Sequence, residues 1–115
     1  MDTRRQQKIS NVLLKDLGEI FQQESRNLFN GGFITVTQVR VSSDLSVARV
    51  YISILGGNKE NIFELVKNQS KVIRKILSDR VRFQLRKTPE LAFFIDDSLD
   101  YYDKIEELLK KSGKN

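Results

Sequence analysis

The spacing of apolar residues predicts helices and strands in the order α-β-β-α-kink-α-β-α. Apolar positions three and four residues apart over about residues 3–27 predict a first amphipathic helix. Residues 33–41 and 48–54 are rich in β-branched side chains, and the short turn between them predicts an antiparallel hairpin. The apolar residues change parity within the first strand, which predicts a bulge near Thr37 and Gln38.

The second half of the chain continues the pattern with a long helix that begins after Asn58. Projected at about 100° per residue, Gln69 and Arg80 fall inside its apolar stripe. Burying an unpaired guanidinium is costly. We therefore expect a kink at Gln69, Ser70 and Lys71, and an end of the regular helix near Arg80. Alternating apolar residues then predict an extended connection over 81–85, followed by a third strand over 91–95 and a last helix capped by Ser98.

These elements predict an α+β fold in which a three-stranded sheet packs against helices, as a single domain over residues 1–115 with a flexible basic tail at 110–115. The chain has no cysteine and no histidine, so disulfides, thiol nucleophiles and imidazole bases are excluded. No apolar run approaches the roughly 20 residues that cross a bilayer, and no secretory signal precedes the first helix. We expect a cytoplasmic monomer that binds neither a membrane nor a cofactor.

Positive charge is concentrated in one part of the chain. The net charge is +5. Residues 67–87 hold a single acidic residue and eight basic ones, which are Lys67, Lys71, Arg74, Lys75, Arg80, Arg82, Arg86 and Lys87. The first four project opposite the apolar stripe of the long helix, and a second basic cluster at the amino end consists of Arg4, Arg5 and Lys8. Long cationic side chains on one solvated surface are what binding to a phosphate backbone requires. The alternative is an ordinary solvated helix face.

Acidic residues dominate the stretch from 88 to 109. Asp96, Asp97, Asp100 and Asp103 could in principle hold magnesium, and one alternative function is a small metal-dependent RNA nuclease. Their spacing lacks the ligands and the glycine of a calcium loop. Acidic residues at a helix start are also favoured by the helix dipole, so we expect no metal site and no catalytic residue. A further alternative is a protein-interaction module whose acidic terminal helix recruits a basic protein.

Two long runs resemble a known family. Residues 39–53 resemble the pattern V-x-V-S-x-D-L-x-x-A-x-V-Y-V-S of ribosome-binding factor A. The dipeptide Ile73-Arg74 and residues 85–96 resemble that family's I-R and its L-R-x-x-P-E-L-x-F-x-x-D run. The early Arg4-Arg5 pair matches too. The similarity covers nearly the whole chain, and the two long runs occur in the order and separation of the family.

The resemblance implies a type II KH-like domain that binds free small (30S) ribosomal subunits and their 16S rRNA. It also implies a role in late subunit maturation and rRNA processing alongside other assembly factors, without catalysis, and a link to growth in the cold. At the kink the family has Ala-x-Gly where this chain has Gln69, Ser70 and Lys71. Arg74 and Arg86 match basic positions of the family, whereas the charge argument alone supports Lys67, Lys71, Lys75, Arg80 and Arg82. Glu90 and Asp96 also match, and we expect structural roles for both.

Overall fold

The computed structural model describes residues 3–56 and 58–96 of the 115-residue chain. A three-stranded sheet in the order β1-β2-β3 forms its centre, and the helices cover one face of it. The described elements are α1 (Arg4–Gln23), α2 (Ser25–Leu28), β1 (Phe33–Val41), β2 (Val47–Leu55), α3 (Lys59–Asn68), α4 (Ser70–Val81) and β3 (Glu90–Ile95). We call the sheet face that packs against the helices the inner face and the opposite one the outer face.

Helix α1 supplies much of the core. Its buried stripe includes Leu13, Leu17 and Phe21, each with no exposed surface. The ring of Phe21 stacks on Phe29 at 5.1 Å and meets Phe93 of β3 edge-on at 6.1 Å, so α1 is packed onto the third strand. The helix expected over 3–27 is interrupted at Glu24, after which the chain continues as the short α2.

The sheet has the hairpin that the sequence predicts. Strands β1 and β2 pair antiparallel, and their register shifts between Val36 and Gln38, which confirms the bulge. Strand β3 runs parallel to β2 on its other side. Alternate residues of β2, such as Val50 and Ile52, are fully buried on the inner face.

The kink in the long helix is also confirmed. Asn58 caps α3 through its side chain, and Gln69 (φ −94°, ψ 11°) separates α3 from α4. The prediction of an extended connection over 81–85 is wrong. Val81 is the last residue of α4, and its carbonyl oxygen accepts hydrogen bonds from the backbone N–H groups of Gln84 and Leu85. The chain therefore turns here, because Val81 is held in the core while the residues after it leave the core.

The third strand is confirmed, one residue longer than predicted. The last helix after Ser98, the basic tail at 110–115 and three of the four clustered aspartates lie outside the described residues. Among the helices of residues 3–56 and 58–96, none is long and apolar enough to span a bilayer.

Candidate nucleic-acid interface

The amino end of α1 is fixed to the end of β1, and this places two cations beside the hairpin turn. Thr3 and Gln6 form a reciprocal capping box. The buried Gln6 side chain donates from Nε2 to the carbonyl oxygen of Val41 at 3.0 Å. Arg5 and Lys8 lie exposed on the same first turns of the helix.

The hairpin turn itself is held by Asp44. Its carboxylate accepts hydrogen bonds from the hydroxyls of Ser42 and Ser46, each at 2.7 Å, and from the backbone N–H of Ser46. These bonds, that from the Ser46 hydroxyl above all, lower the pKa of Asp44 from 3.8 to about 2. Asp44 is therefore ionised at neutral pH. The next residue, Leu45, adopts a left-handed backbone conformation with φ 63°, which is costly for a side chain with a Cβ.

Arg74 determines the path of the loop between α4 and β3. Its Nε donates to the carbonyl oxygen of Pro89 at 3.1 Å, and its Nη2 donates to that of Thr88 at 2.6 Å. Both acceptor residues are buried. The loop is also joined to the hairpin turn, because the N–H of Glu90 donates to the carbonyl oxygen of Ser46.

These three segments surround a cleft of about 750 Å³. We call it the cationic cleft. Its floor is apolar and is formed by Ile9, Val12, Leu45, Leu85 and Pro89. Of the described residues that line it, four are exposed cations, namely Arg5, Lys8, Arg86 and Lys87, and one, Asp44, is a carboxylate. Members of the two basic clusters predicted from the sequence, which are about 80 residues apart along the chain, thus line a single concave surface.

Part of the predicted basic helix face is also present. Lys71 and Lys75 are exposed on α4, and no described residue forms an ion pair with either. We call these two residues the lysine ridge. Lys67 has a partner, since its Nζ lies 2.9 Å from Glu64 and 4.9 Å from the centre of the Phe63 ring. Arg4 and Arg82 are exposed as well.

The structure corrects the expected positions of two arginines. Arg74 does not project freely from the ridge, because its guanidinium donates to the loop carbonyls. Arg80 does not extend the positive surface either, because α4 packs on α1 and turns this side chain toward two carboxylates. Its Nε lies 3.3 Å from Asp16, and its Nη2 bonds to Glu19. This contact explains how a guanidinium is accommodated in the apolar stripe of the helix.

Phe83 and Phe94 are exposed, although the sequence pattern places most of the phenylalanines in the core; Tyr51 is expected from the pattern to face solvent. Phe83 lies in the turn after α4 and is 87% exposed. On the outer face of the sheet, the rings of Tyr51 and Phe94 stack with centroids 5.4 Å apart. Val81, Phe83 and Leu85 alternate with polar residues, which predicts that all three face the same buried side. Nothing in the sequence therefore indicates that Phe83 is exposed.

Asp96 has the structural role that was expected. Its carboxylate accepts a hydrogen bond from the Thr37 hydroxyl of β1, and its N–H donates to the carbonyl oxygen of Ile52. It thereby fixes the end of β3 to both other strands. Within residues 3–56 and 58–96 no group of three acidic side chains is arranged to hold a metal ion.

Arg40 and Arg49 form a cross-strand pair of like charges on the outer face. Like charges directly opposite each other destabilise a sheet. Replacing Arg49 by glutamate is therefore expected to raise the free energy of unfolding by about 0.5 kcal/mol. Urea denaturation measures this change. Arg49→Gln, which removes only the repulsion, should give a smaller increase, and a loss of stability in both variants would contradict the expectation.

The sheet order and the broken helix between β2 and β3 are those of a KH-like α+β domain. Solved structures of related proteins support this class. The crystal structure of ribosome-binding factor A from Thermus thermophilus superposes with a TM-score of 0.66 over 78% of this chain and 94% of that one, at 24% sequence identity.

Sequence comparisons give the family. The family model for ribosome-binding factor A matches residues 5–109. Ribosome-binding factor A of Flavobacterium psychrophilum is 50% identical over 111 residues, which is 95% of this chain and 85% of that protein. The chain belongs to the ribosome-binding factor A family. A Thermus thermophilus homology model of this factor, fitted into a cryo-EM map of a complex between the 30S subunit and the factor, is 29% identical. It matches 75% of this chain and 89% of that one, with a TM-score of 0.61.

Proposed function

We propose that this protein binds the RNA of the small ribosomal subunit through the cationic cleft and the lysine ridge, and that it assists late maturation of the subunit. In this proposal it supports processing of the 16S rRNA alongside other assembly factors in the cytoplasm, also during growth in the cold, and has no catalytic centre of its own. The observation that carries the proposal is the meeting of cations from the start of α1 and from the loop between α4 and β3 at one concave surface. The 30S complex of the Thermus relative supports the identity of the partner.

The chemistry of the cleft fits a phosphate backbone. Long cationic side chains stand at its rim, where they can reach phosphates while they remain solvated. The carboxylate of Asp44 is hydrogen-bonded to hydroxyl groups of its own turn. It therefore does not form a direct ion pair with the cations at the rim. The apolar floor has no charge of either sign and so adds no sequence preference through hydrogen bonds.

A protein without catalytic groups can still drive maturation by differential affinity. If it binds one conformation of the immature particle more tightly than others, it shifts the population toward that conformation. When the RNA reaches its mature arrangement, the cleft no longer fits its target and the protein dissociates. This mechanism needs no group on the protein beyond the binding surface.

Salt dependence of binding tests the proposal. The four cations of the cleft and the two of the ridge could neutralise six phosphates, so a plot of log affinity against log salt concentration should have a slope of about −4 to −5. Binding to free small subunits, measured by co-sedimentation, and binding to protein-free 16S rRNA should both show this slope. Affinity should then fall by about 500-fold between 50 and 200 mM salt.

The alternatives predict different results. Binding to intact subunits without binding to protein-free rRNA would favour recruitment through a ribosomal protein and would overturn direct RNA binding. Magnesium-dependent cleavage of precursor RNA by the pure protein would favour the nuclease. A slope near zero would overturn the electrostatic interface itself.

A further inference from the structure

Phe83 has an unusual position for a phenylalanine. It is 87% exposed, more than any other large hydrophobic residue that the structure describes. The turn that carries it is closed by two hydrogen bonds to the carbonyl oxygen of Val81, so the backbone around it is held in place. The ring is therefore presented on an anchored turn rather than on an unconstrained connection.

The neighbour of this ring is a cation. The guanidinium carbon of Arg82 lies 4.7 Å from the centre of the Phe83 ring, a cation–π distance. Even with this contact the ring keeps most of its surface open to solvent. An aromatic ring with an adjacent guanidinium forms the kind of flat, positively charged surface on which unpaired RNA bases stack.

The same turn leads directly into the cationic cleft. Gln84 and Leu85 line the cleft together with Arg86 and Lys87. Three residues span at most about 11 Å, so Phe83 lies within that backbone distance of Arg86. A base stacked on the ring thus has its neighbouring phosphates within reach of the cleft cations.

We propose that Phe83, with Arg82 behind it, stacks on an unpaired base of the bound RNA and makes the protein prefer RNA with an unpaired nucleotide over a continuous duplex. This inference rests on the proposed function. The surroundings favour RNA over a protein partner, because protein hot spots are enclosed by other apolar contacts. The exposed neighbours of Phe83 along the chain are instead polar or cationic, namely Arg82, Gln84, Arg86 and Lys87, whereas Val81 is buried and Leu85 is half-buried.

Two synthetic RNA hairpins test the inference with the full-length protein. They are identical except that one carries a single unpaired adenosine in its stem. The wild-type protein should prefer the bulged hairpin, and Phe83→Ala should lose about 5- to 100-fold in affinity for it. The same variant should leave the affinity for the continuous duplex unchanged. The slope of log affinity against log salt should also stay the same, because no phosphate contact is removed.

Matched variants make the result specific. Phe83→Tyr keeps the ring and should retain the preference. Phe33→Ala removes a 60% exposed phenylalanine from β1, outside the cleft, and should change neither affinity. An unchanged thermal unfolding midpoint is expected for Phe83→Ala, since the side chain has little buried surface to lose.

The remaining outcomes each decide the question. If wild type binds both hairpins equally with a steep salt dependence, the proposed function stands and this inference is wrong. If wild type binds no RNA, the proposed function itself fails. Equal losses for both hairpins in Phe83→Ala would overturn base stacking. A loss of subunit binding in this variant with unchanged binding to protein-free RNA would also overturn it, in favour of a protein contact.

Discussion

Replacing Arg74 by methionine is expected to lower the free energy of unfolding by about 2–3 kcal/mol. The guanidinium donates to the carbonyl oxygens of Thr88 and Pro89, and a hydrogen bond that involves a charged group is worth about 1.5–3 kcal/mol. Two such bonds sum to about 3–6 kcal/mol. Solvent screening at this half-buried position reduces the expected loss to about 2–3 kcal/mol. Methionine keeps the apolar stem of the side chain, so packing is largely preserved.

The neighbouring lysine provides the matched control. Lys71 is exposed on the same helix and has no described ion-pair partner. Lys71→Met should therefore change the free energy of unfolding by less than about 0.5 kcal/mol. Urea denaturation of both variants separates the two roles. Similar stability of Arg74→Met and Lys71→Met would contradict the structural role of Arg74.

The Arg74 contacts also explain why two distant parts of the family pattern occur together. Arg74 belongs to the I-R dipeptide, whereas Thr88 and Pro89 lie in the L-R-x-x-P-E-L run. The hydrogen bonds join these two motifs directly. The third motif, the hairpin turn, is joined to the same loop through Ser46 and Glu90. The family pattern thus marks the residues that build the walls of the cleft.

Much of the fold follows from the sequence because it depends on local signals. The strand bounds of β1, its bulge, the cap at Asn58 and the break at Gln69 each have a cause within a few residues. The break was predicted even without the small residues that the family has there, because both Gln69 and Arg80 would fall in the apolar stripe of a straight helix. What the pattern could not supply was the partner of Arg80. Asp16 and Glu19 lie more than 60 positions away and meet it only through packing of α1 on α4.

The candidate site was predictable only in part, because tertiary contacts decide where its residues lie. The sequence identifies the basic residues but not which of them share a surface. Lys71 and Arg74 are one turn apart on a helix, yet one is exposed and the other is an anchor for a loop. Conversely, Arg5 and Arg86 are far apart in sequence and line one cleft. A count of charges treats these residues as equivalent. Only the tertiary contacts show which of them are exposed and which line the cleft.

Reversing two cations of the cleft is expected to have the largest effect on binding. Arg5→Glu combined with Arg86→Glu should weaken association with small subunits by about 100-fold, since each lost charge-assisted contact is worth about 1.5 kcal/mol or more and about 1.4 kcal/mol is a factor of ten. The slope of log affinity against log salt should decrease in magnitude by about 2. Both side chains are exposed, so the fold should be retained, which circular dichroism can verify.

Two double variants with the same change in net charge show whether position or total charge controls binding. Arg40→Glu with Arg49→Glu reverses two exposed cations on the outer face of the sheet. This variant should weaken association much less than the cleft variant, because neither side chain lines the cleft. Lys71→Glu with Lys75→Glu should weaken association by an amount between those of the other two variants. The ridge is a convex helix surface, so each lysine would contact the RNA without a second cation beside the same phosphate. Co-sedimentation at fixed salt ranks all three. Equal losses for the cleft and outer-face variants would mean that the net charge, rather than the cleft, holds the RNA, and a larger loss for the ridge variant would move the centre of the interface onto α4.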